Sequence, residues 1–67
     1  MKLTGRQVEV AKLAARGLPN KQIARELGIS EATVKLHMNS IFDRLGIRSR
    51  VMLAVRWRSE QDELLAV

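Results

Sequence analysis

The segment from residue 17 to residue 35 constrains the fold most, because it encodes two short helices joined by a tight turn. We expect Asn20 to cap the first helix and Ser30 to cap the second, since both side chains can accept hydrogen bonds from backbone amides. Between them, Gly28 permits the left-handed backbone with which many helices end, and Ile29 can pack into the angle between the helices. Two amphipathic helices joined by a short turn that contains Gly are typical of the helix-turn-helix motif.

The apolar residues of this segment recur at helical spacing, which predicts the face that each helix buries. In the first helix these residues are Ile23, Ala24 and Leu27. In the second helix the spacing is four, three and four, and the residues are Val34, Met38, Ile41 and Leu45. The opposite side of the second helix is then available to a partner, and it carries Glu31, Ala32, Lys35, Leu36, Asn39, Ser40 and Asp43.

Two further helices flank the motif. Thr4 and Gln7 have the spacing of a capping box, and Gly17 provides an exit for the helix that they start. Ser49 is expected to cap a last helix. The fold class predicted from these signals is all-α, a single helix-turn-helix domain over residues 1–67 without a wing, and its helices span about residues 5–15, 20–27, 31–45 and 50–65.

The chain carries a formal net charge of +5, and this charge is unevenly distributed. Residues 1–59 contain all twelve Lys and Arg residues, whereas three of the seven acidic residues, Glu60, Asp62 and Glu63, come after them. A compact domain this basic attracts polyanions, and phosphate contacts then supply much of the affinity. Charge therefore favours nucleic acid as the partner. A membrane-surface helix fits less well, because the basic residues are spread over several helices.

Several function classes find no support in the residues. There is no Cys, and the single His37 lacks the partners that a metal site or nucleophilic catalysis requires. No Gly-rich phosphate loop is present, and the acidic residues lack a spacing typical of acid–base catalysis. We therefore predict no enzyme activity, no catalytic residue, no metal and no cofactor. No apolar run approaches ~20 residues, so we expect a cytoplasmic protein without membrane contact.

Three groups of residues resemble one known family. They are Leu3 and Thr4 with Arg6, the segment 17–37, and the closing run 44–50. Together they are similar to the LuxR/NarL/FixJ-type DNA-binding domain from residue 3 to about residue 58, and most similar to the NarL branch of two-component response regulators. The chain departs from the family pattern at Gly5, Gln7 and Asn39, where Pro, Glu and a basic residue are more usual.

The resemblance implies a bacterial transcriptional regulator, typically the C-terminal effector domain of a response regulator. It implies that the helix 31–45 reads the DNA major groove and that the helix 50–65 mediates dimerisation. The implied partners are double-stranded DNA and a second copy of the chain, which we expect to bind only weakly without DNA. RNA polymerase is a further candidate partner.

The predicted DNA contacts fall into two groups. On the helix 31–45, Lys35 can donate to guanine O6 or N7, Leu36 can contact a thymine methyl, and Asn39 can pair with adenine. These three positions also match the base readers of the family. Phosphate contacts are expected near helix starts, where amides and the helix dipole favour anions. The residues predicted to make them are Asn20, Lys21, Thr33, Arg48 and Arg50, of which Arg50 is also implied by the resemblance.

The helix 50–65 carries more apolar residues than one buried face requires. Leu53, Ala54 and Trp57 share a face that is expected to pack on the core. An apolar surface beside that face is a candidate interface. The residues predicted to form this dimer contact are Val51, Met52 and Val55.

Two other interpretations remain open at the level of sequence. The promoter-reading helix-turn-helix of a sigma factor shares the central pattern, but it lacks the Leu-Thr opening and the Arg-Ser-Arg closing of this chain. A helix-turn-helix used only for protein interaction is favoured by Glu31 and Asp43 on the outward side of the helix 31–45. Steeply salt-dependent DNA binding distinguishes a DNA-binding domain from a protein-interaction module.

Overall fold

The computed structural model describes the backbone of residues 3–66 and the side chains of residues 3–60. Its helices are α1 (Gly5–Ala15), α2 (Asn20–Leu27), α3 (Glu31–Leu45) and α4 (Arg50–Ala66), and this part of the chain contains no strand. The predicted all-α class with four helices is therefore confirmed.

Side-chain caps determine where three of these helices begin. At the start of α1, Thr4 Oγ1 accepts a hydrogen bond from the Gln7 amide at 3.2 Å, and Gln7 Oε1 accepts one from the Thr4 amide at 3.0 Å. Ser30 and Ser49 each accept a hydrogen bond from the amide three residues later, at 3.0 and 3.2 Å. The capping box and both serine caps predicted from the sequence are thus confirmed, and each satisfies amides that have no partner within the helix.

The predicted cap of α2 is wrong. Pro19 occupies the N-cap position in an extended conformation, and Asn20 is the first helical residue. The ring of Pro19 holds its φ at −70°, which suits the cap position, and its carbonyl accepts hydrogen bonds from the amides of Gln22 and Ile23 at 3.0 Å each. Asn20 Oδ1 is instead buried, with no hydrogen-bond partner among the described residues.

Left-handed glycines end α2 and α3. Gly28 and Gly46 have φ values of 67° and 66°. The residue after each glycine donates its amide back into the helix, from Ile29 to the carbonyl of Ala24 and from Ile47 to that of Phe42, both at 3.0 Å. These bonds satisfy carbonyls at the helix ends and turn the following isoleucine onto the core. The sharp exits direct the chain from α2 into α3 and from α3 toward α4.

Replacing Gly46 with Ala is expected to lower the free energy of unfolding by about 1–2 kcal/mol, the typical cost of left-handed backbone for a residue with Cβ. No atom lies within 4 Å of the position that the Cβ would occupy, so the expected loss of stability comes from backbone strain and not from a steric clash. Gly5→Ala is the matched control, because Gly5 is helical and equally open. It should be neutral or slightly stabilising. Thermal melts of the two variants check this, and equal losses would contradict the strain argument.

The core lies where the four helices meet. α1 packs against each of the other three helices, and α2 packs against α3. The predicted stripe of α3 is buried along its whole length, which confirms it. The buried apolar residues are Val10, Ala11, Ala14, Ile23, Ala24, Val34, Met38, Ile41, Leu45, Ile47 and Leu53. Because this stripe faces inward, the opposite side of α3 faces solvent.

Within the described residues, no helix combines the length and the apolar content needed to cross a membrane.

Candidate nucleic-acid interface

The outward side of α3 presents the three side chains predicted to read bases. Lys35, Leu36 and Asn39 are all exposed, and Leu36 keeps 66% of its surface accessible. Leu36 is therefore accessible to a partner that approaches this side of α3. Asn39 lies three residues after Leu36 and four after Lys35, the spacings that place side chains next to each other on a helix, so the three residues form one continuous patch.

An open cleft of about 420 Å³ lies beside this patch. It is lined by Asn20, Lys35, Met38, Asn39, Phe42, Arg48, Ser49 and Arg50. Five of the predicted DNA contacts therefore share one concave surface, although they come from α2, α3, the α3–α4 connection and the start of α4. Lys21, Thr33 and Leu36 do not line the cleft. The cleft combines the cationic groups of lysine and arginine with the side-chain amides of asparagine. The cations can bind negative charges of a ligand, and the amides can donate and accept hydrogen bonds.

Arg50 connects the start of α4 to the turn between α1 and α2. Its Nη1 donates a hydrogen bond to the backbone carbonyl of Leu18 at 3.1 Å, and the residue is half-buried. A guanidinium has five N–H donors, so this bond leaves others available. The contact fixes the guanidinium at the edge of the cleft, on the side where α2 begins.

Thr33 lies within the cap of α3. Its amide donates to Ser30 Oγ at 3.0 Å, and the two hydroxyl oxygens lie 2.8 Å apart.

Charged residues of both signs are exposed near the candidate interface. Lys21 is exposed at the start of α2, and Arg48 is exposed just before α4. Glu31 and Asp43 are also exposed on α3, and Glu31 in the first turn favourably opposes the positive end of the helix dipole. The exposed side of α3 thus carries acidic residues as well as Lys35, although neither acidic residue lines the cleft.

The apolar residues of α4 divide as predicted with the exception of Ala54, which is only half-buried and lies outside the core cluster. Leu53 is fully buried and Trp57 packs partly against the core. Val51, Met52 and Val55 remain 73%, 48% and 62% exposed. These three residues form the α4 apolar patch.

Comparison with known proteins identifies the fold's family. The family described as bacterial regulatory proteins, luxR family, matches residues 1–57. The chain belongs to this family. The family resemblance predicted from the sequence is confirmed, and the helix-turn-helix is that of a bacterial DNA-binding transcription regulator.

Relatives of this luxR-family chain are regulators by name. The nitrate/nitrite response regulator protein NarL of Escherichia coli is 49% identical over 53 residues, which cover 79% of this chain and 24% of NarL. The two-component response regulator PprB of Pseudomonas aeruginosa is 46% identical over 54 residues, covering 81% of this chain and 20% of PprB. The transcriptional regulatory protein YdfI of Bacillus subtilis is 50% identical over 48 residues, which cover 72% of this chain and 22% of YdfI. The chain spans about a quarter or less of these relatives.

Sequence reasoning missed part of this luxR-family surface. It did not identify the bond from Arg50 to Leu18, because the two residues are 32 positions apart and no local pattern links them. It also placed Asn20 at a cap, whereas the residue lines the cleft with a buried Oδ1. The signal that was available for Asn20 was the preceding proline, whose fixed φ already suits a helix start.

Proposed function

We propose that this chain is the DNA-binding effector domain of a two-component response regulator and that it reads the major groove with α3. The observation that carries the proposal is the position of Lys35 and Asn39, which are exposed on α3 and share one cleft with Asn20, Arg48 and Arg50. A groove-reading helix needs its base readers flanked by phosphate contacts that hold it in register. The relatives named as response regulators support the assignment to that class.

The proposed base contacts follow from donor and acceptor chemistry. Lys35 donates to guanine O6 or N7, and the Asn39 amide pairs with adenine N6 and N7. Leu36, with 66% of its surface exposed, contacts a thymine methyl, which is the one apolar group in the major groove. The three side chains lie within about one helical turn, so they address adjacent base pairs.

The proposed phosphate contacts surround this helix. Lys21 and Arg48 are exposed cations that can reach a phosphate without rearrangement. Arg50 is held by Leu18 and offers its remaining donors. The other two proposed contacts are Asn20, at the start of α2, and the Thr33 hydroxyl, within the first turn of α3. Contacts of this kind position the domain and contribute the salt-dependent part of the affinity.

A second copy of the chain is the proposed protein partner, joined through the α4 apolar patch. That patch is small compared with the interfaces of stable dimers, so association without DNA should be weak. RNA polymerase remains a candidate partner, and the cytoplasm, where bacterial DNA lies, is the proposed location.

Selection from a random DNA pool, followed by binding titrations at several salt concentrations, tests the proposed function. We expect one enriched sequence and an affinity that falls steeply with salt, since several phosphate contacts release counterions. The exposed acidic residues Glu31 and Asp43 favour a protein-interaction module instead. Absence of salt-steep binding to any DNA would refute the DNA-binding function and favour the protein-interaction module. Affinity gained only with RNA polymerase core would point to a sigma-like domain.

Replacing Val55 with Asp is expected to abolish cooperative binding to paired half-sites while leaving binding to a single half-site nearly intact. Val55 is 62% exposed on α4, so the new carboxylate stays hydrated in the monomer but would be buried in the dimer contact. The ratio of paired-site to single-site affinity measures the effect. Val8→Asp on α1, at an apolar residue outside the α4 apolar patch, is the control. Equal loss on both DNAs would show that Val55 supports the fold, and unchanged cooperativity would place the dimer elsewhere.

A further inference from the structure

A second groove, of about 560 Å³, lies between the C-terminal half of α1 and α4. Its apolar residues include Val51, Val55 and Trp57, and its cations are Lys12, Arg16 and Arg58. We call this the α1–α4 groove. None of the predicted DNA contacts lines it. Two of its residues, Val51 and Val55, belong to the α4 apolar patch, so a dimer formed through that patch would reach into the groove.

The cations of the α1–α4 groove lack partners within the described part of the chain. Lys12, Arg16 and Arg58 are exposed and form no ion pair with another described residue. Arg56 differs, because its guanidinium donates to the Leu45 carbonyl at 3.0 Å and lies 3.7 Å from the Glu60 carboxylate. The groove therefore combines apolar surface with a positive rim, which suits an acidic helical segment that also carries apolar residues.

The same helix that lines the groove ends in such a segment. α4 continues to Ala66, and residues 60–66 read Glu-Gln-Asp-Glu-Leu-Leu-Ala. The helical spacing that runs from Val51 through Val55 to Arg58 reaches Asp62 after a further four residues. α4 is thus basic in its first half and acidic in its second, a polarity that an antiparallel pair of copies can satisfy.

A two-fold axis near the middle of α4 would bring these features together in a dimer. In an antiparallel pair, the end of one helix lies opposite the beginning of the other. The beginning of α4 is adjacent to the end of α1, as the bond from Arg50 to Leu18 shows. The acidic end of each copy would then approach Arg16 of its partner. Without this arrangement, the cationic rims of the two copies would repel each other across the interface.

We propose that the occupant of the α1–α4 groove is the acidic end of α4 from a second copy of this chain, which enters through Asp62 and Glu63. The inference rests on the proposed dimerisation through α4 and deepens it. It assigns Lys12 and Arg16 as the cations that receive this segment. Each copy contributes one groove and one segment, so the contact occurs twice in the dimer.

Two charge-reversed variants test the proposal. The groove variant carries Lys12→Glu and Arg16→Glu, and the segment variant carries Asp62→Lys and Glu63→Lys. Each alone should self-associate at least about tenfold more weakly than the unmodified chain, because like charges now face each other. An equimolar mixture should regain the original association, since the acidic groove of one variant meets the basic segment of the other. Sedimentation equilibrium without DNA measures this, and the paired-site to single-site ratio repeats it on DNA.

A chain that carries all four substitutions should self-associate like the original if the proposal holds. Recovery in that chain but not in the mixture would show that segment and groove pair within one copy, which overturns the proposal. Unchanged association in both single variants, with association still lost in Val55→Asp, would also overturn it while leaving the α4 dimer intact. If Val55→Asp is equally without effect, the dimer itself is refuted. Circular dichroism melts verify that every variant folds.

Discussion

Replacing Ile41 with Ala is expected to lower the free energy of unfolding by about 2–5 kcal/mol. Ile41 is fully buried in the second half of α3 and belongs to the hydrophobic core. Truncation removes apolar contacts and leaves a cavity that the neighbouring side chains fill only in part. A domain of this size has only ~3–5 kcal/mol of stability in total, so a large share of the variant should be unfolded at room temperature. Urea titration followed by circular dichroism measures the change.

The matched control is Leu36→Ala on the same helix. Leu36 is 66% exposed, so its truncation should change the free energy of unfolding by no more than about 0.5 kcal/mol. The pair holds helix propensity nearly constant, since isoleucine and leucine differ little from alanine in that respect relative to the cavity term. Similar losses in both variants would mean that α3 does not bury the face assigned to it.

Much of this fold was predictable because its signals are local. The Thr4–Gln7 capping box and the Ser30 cap each depend on residues three positions apart, and each was found where expected. The helix exits at Gly28 and Gly46 follow from the one residue type that adopts a positive φ at no steric cost. Such features need no knowledge of the tertiary structure, which is why the helix bounds could be predicted closely.

The errors and omissions have two causes. A neighbouring residue can take a position predicted for another, and some hydrogen bonds join residues that are far apart in the sequence. At the start of α2, the general preference for asparagine at a cap predicts Asn20, but Pro19 takes that position because its ring already holds a suitable φ. The bond from Arg50 to Leu18 and the bond from Arg56 to Leu45 join residues that only the packed structure brings together. Periodicity indicates which side of a helix is buried, but it does not indicate which backbone carbonyl an arginine reaches.

The residues of the candidate interface on α3 could be predicted from the sequence, whereas the position of the residues beside α3 could not. Lys35, Leu36 and Asn39 follow directly from the buried stripe of α3, because whatever does not face the core faces outward. The clustering of Asn20, Arg48 and Arg50 beside them required the packed structure, since the three residues come from the start of α2 and from the connection into α4. The helical face of the candidate site could therefore be predicted from residue spacing. The residues that border it could not, because only the tertiary structure brings them next to α3.

Replacing Lys35 with Ala is expected to weaken binding to the selected DNA sequence by ~1–3 kcal/mol, or about 5- to 150-fold, and to relax the preference at one base pair. Lys35 is exposed on α3 and lines the cleft, so the change removes a hydrogen-bond donor without disturbing the core. Titrations against DNAs altered one base pair at a time measure the preference. Lys21→Ala is the control, since an exposed phosphate-contacting cation should weaken binding to all sequences alike and reduce the salt slope by about one. If Lys35→Ala instead lowered binding to selected and random DNA equally, Lys35 would be a phosphate contact, and base reading would fall to Leu36 and Asn39.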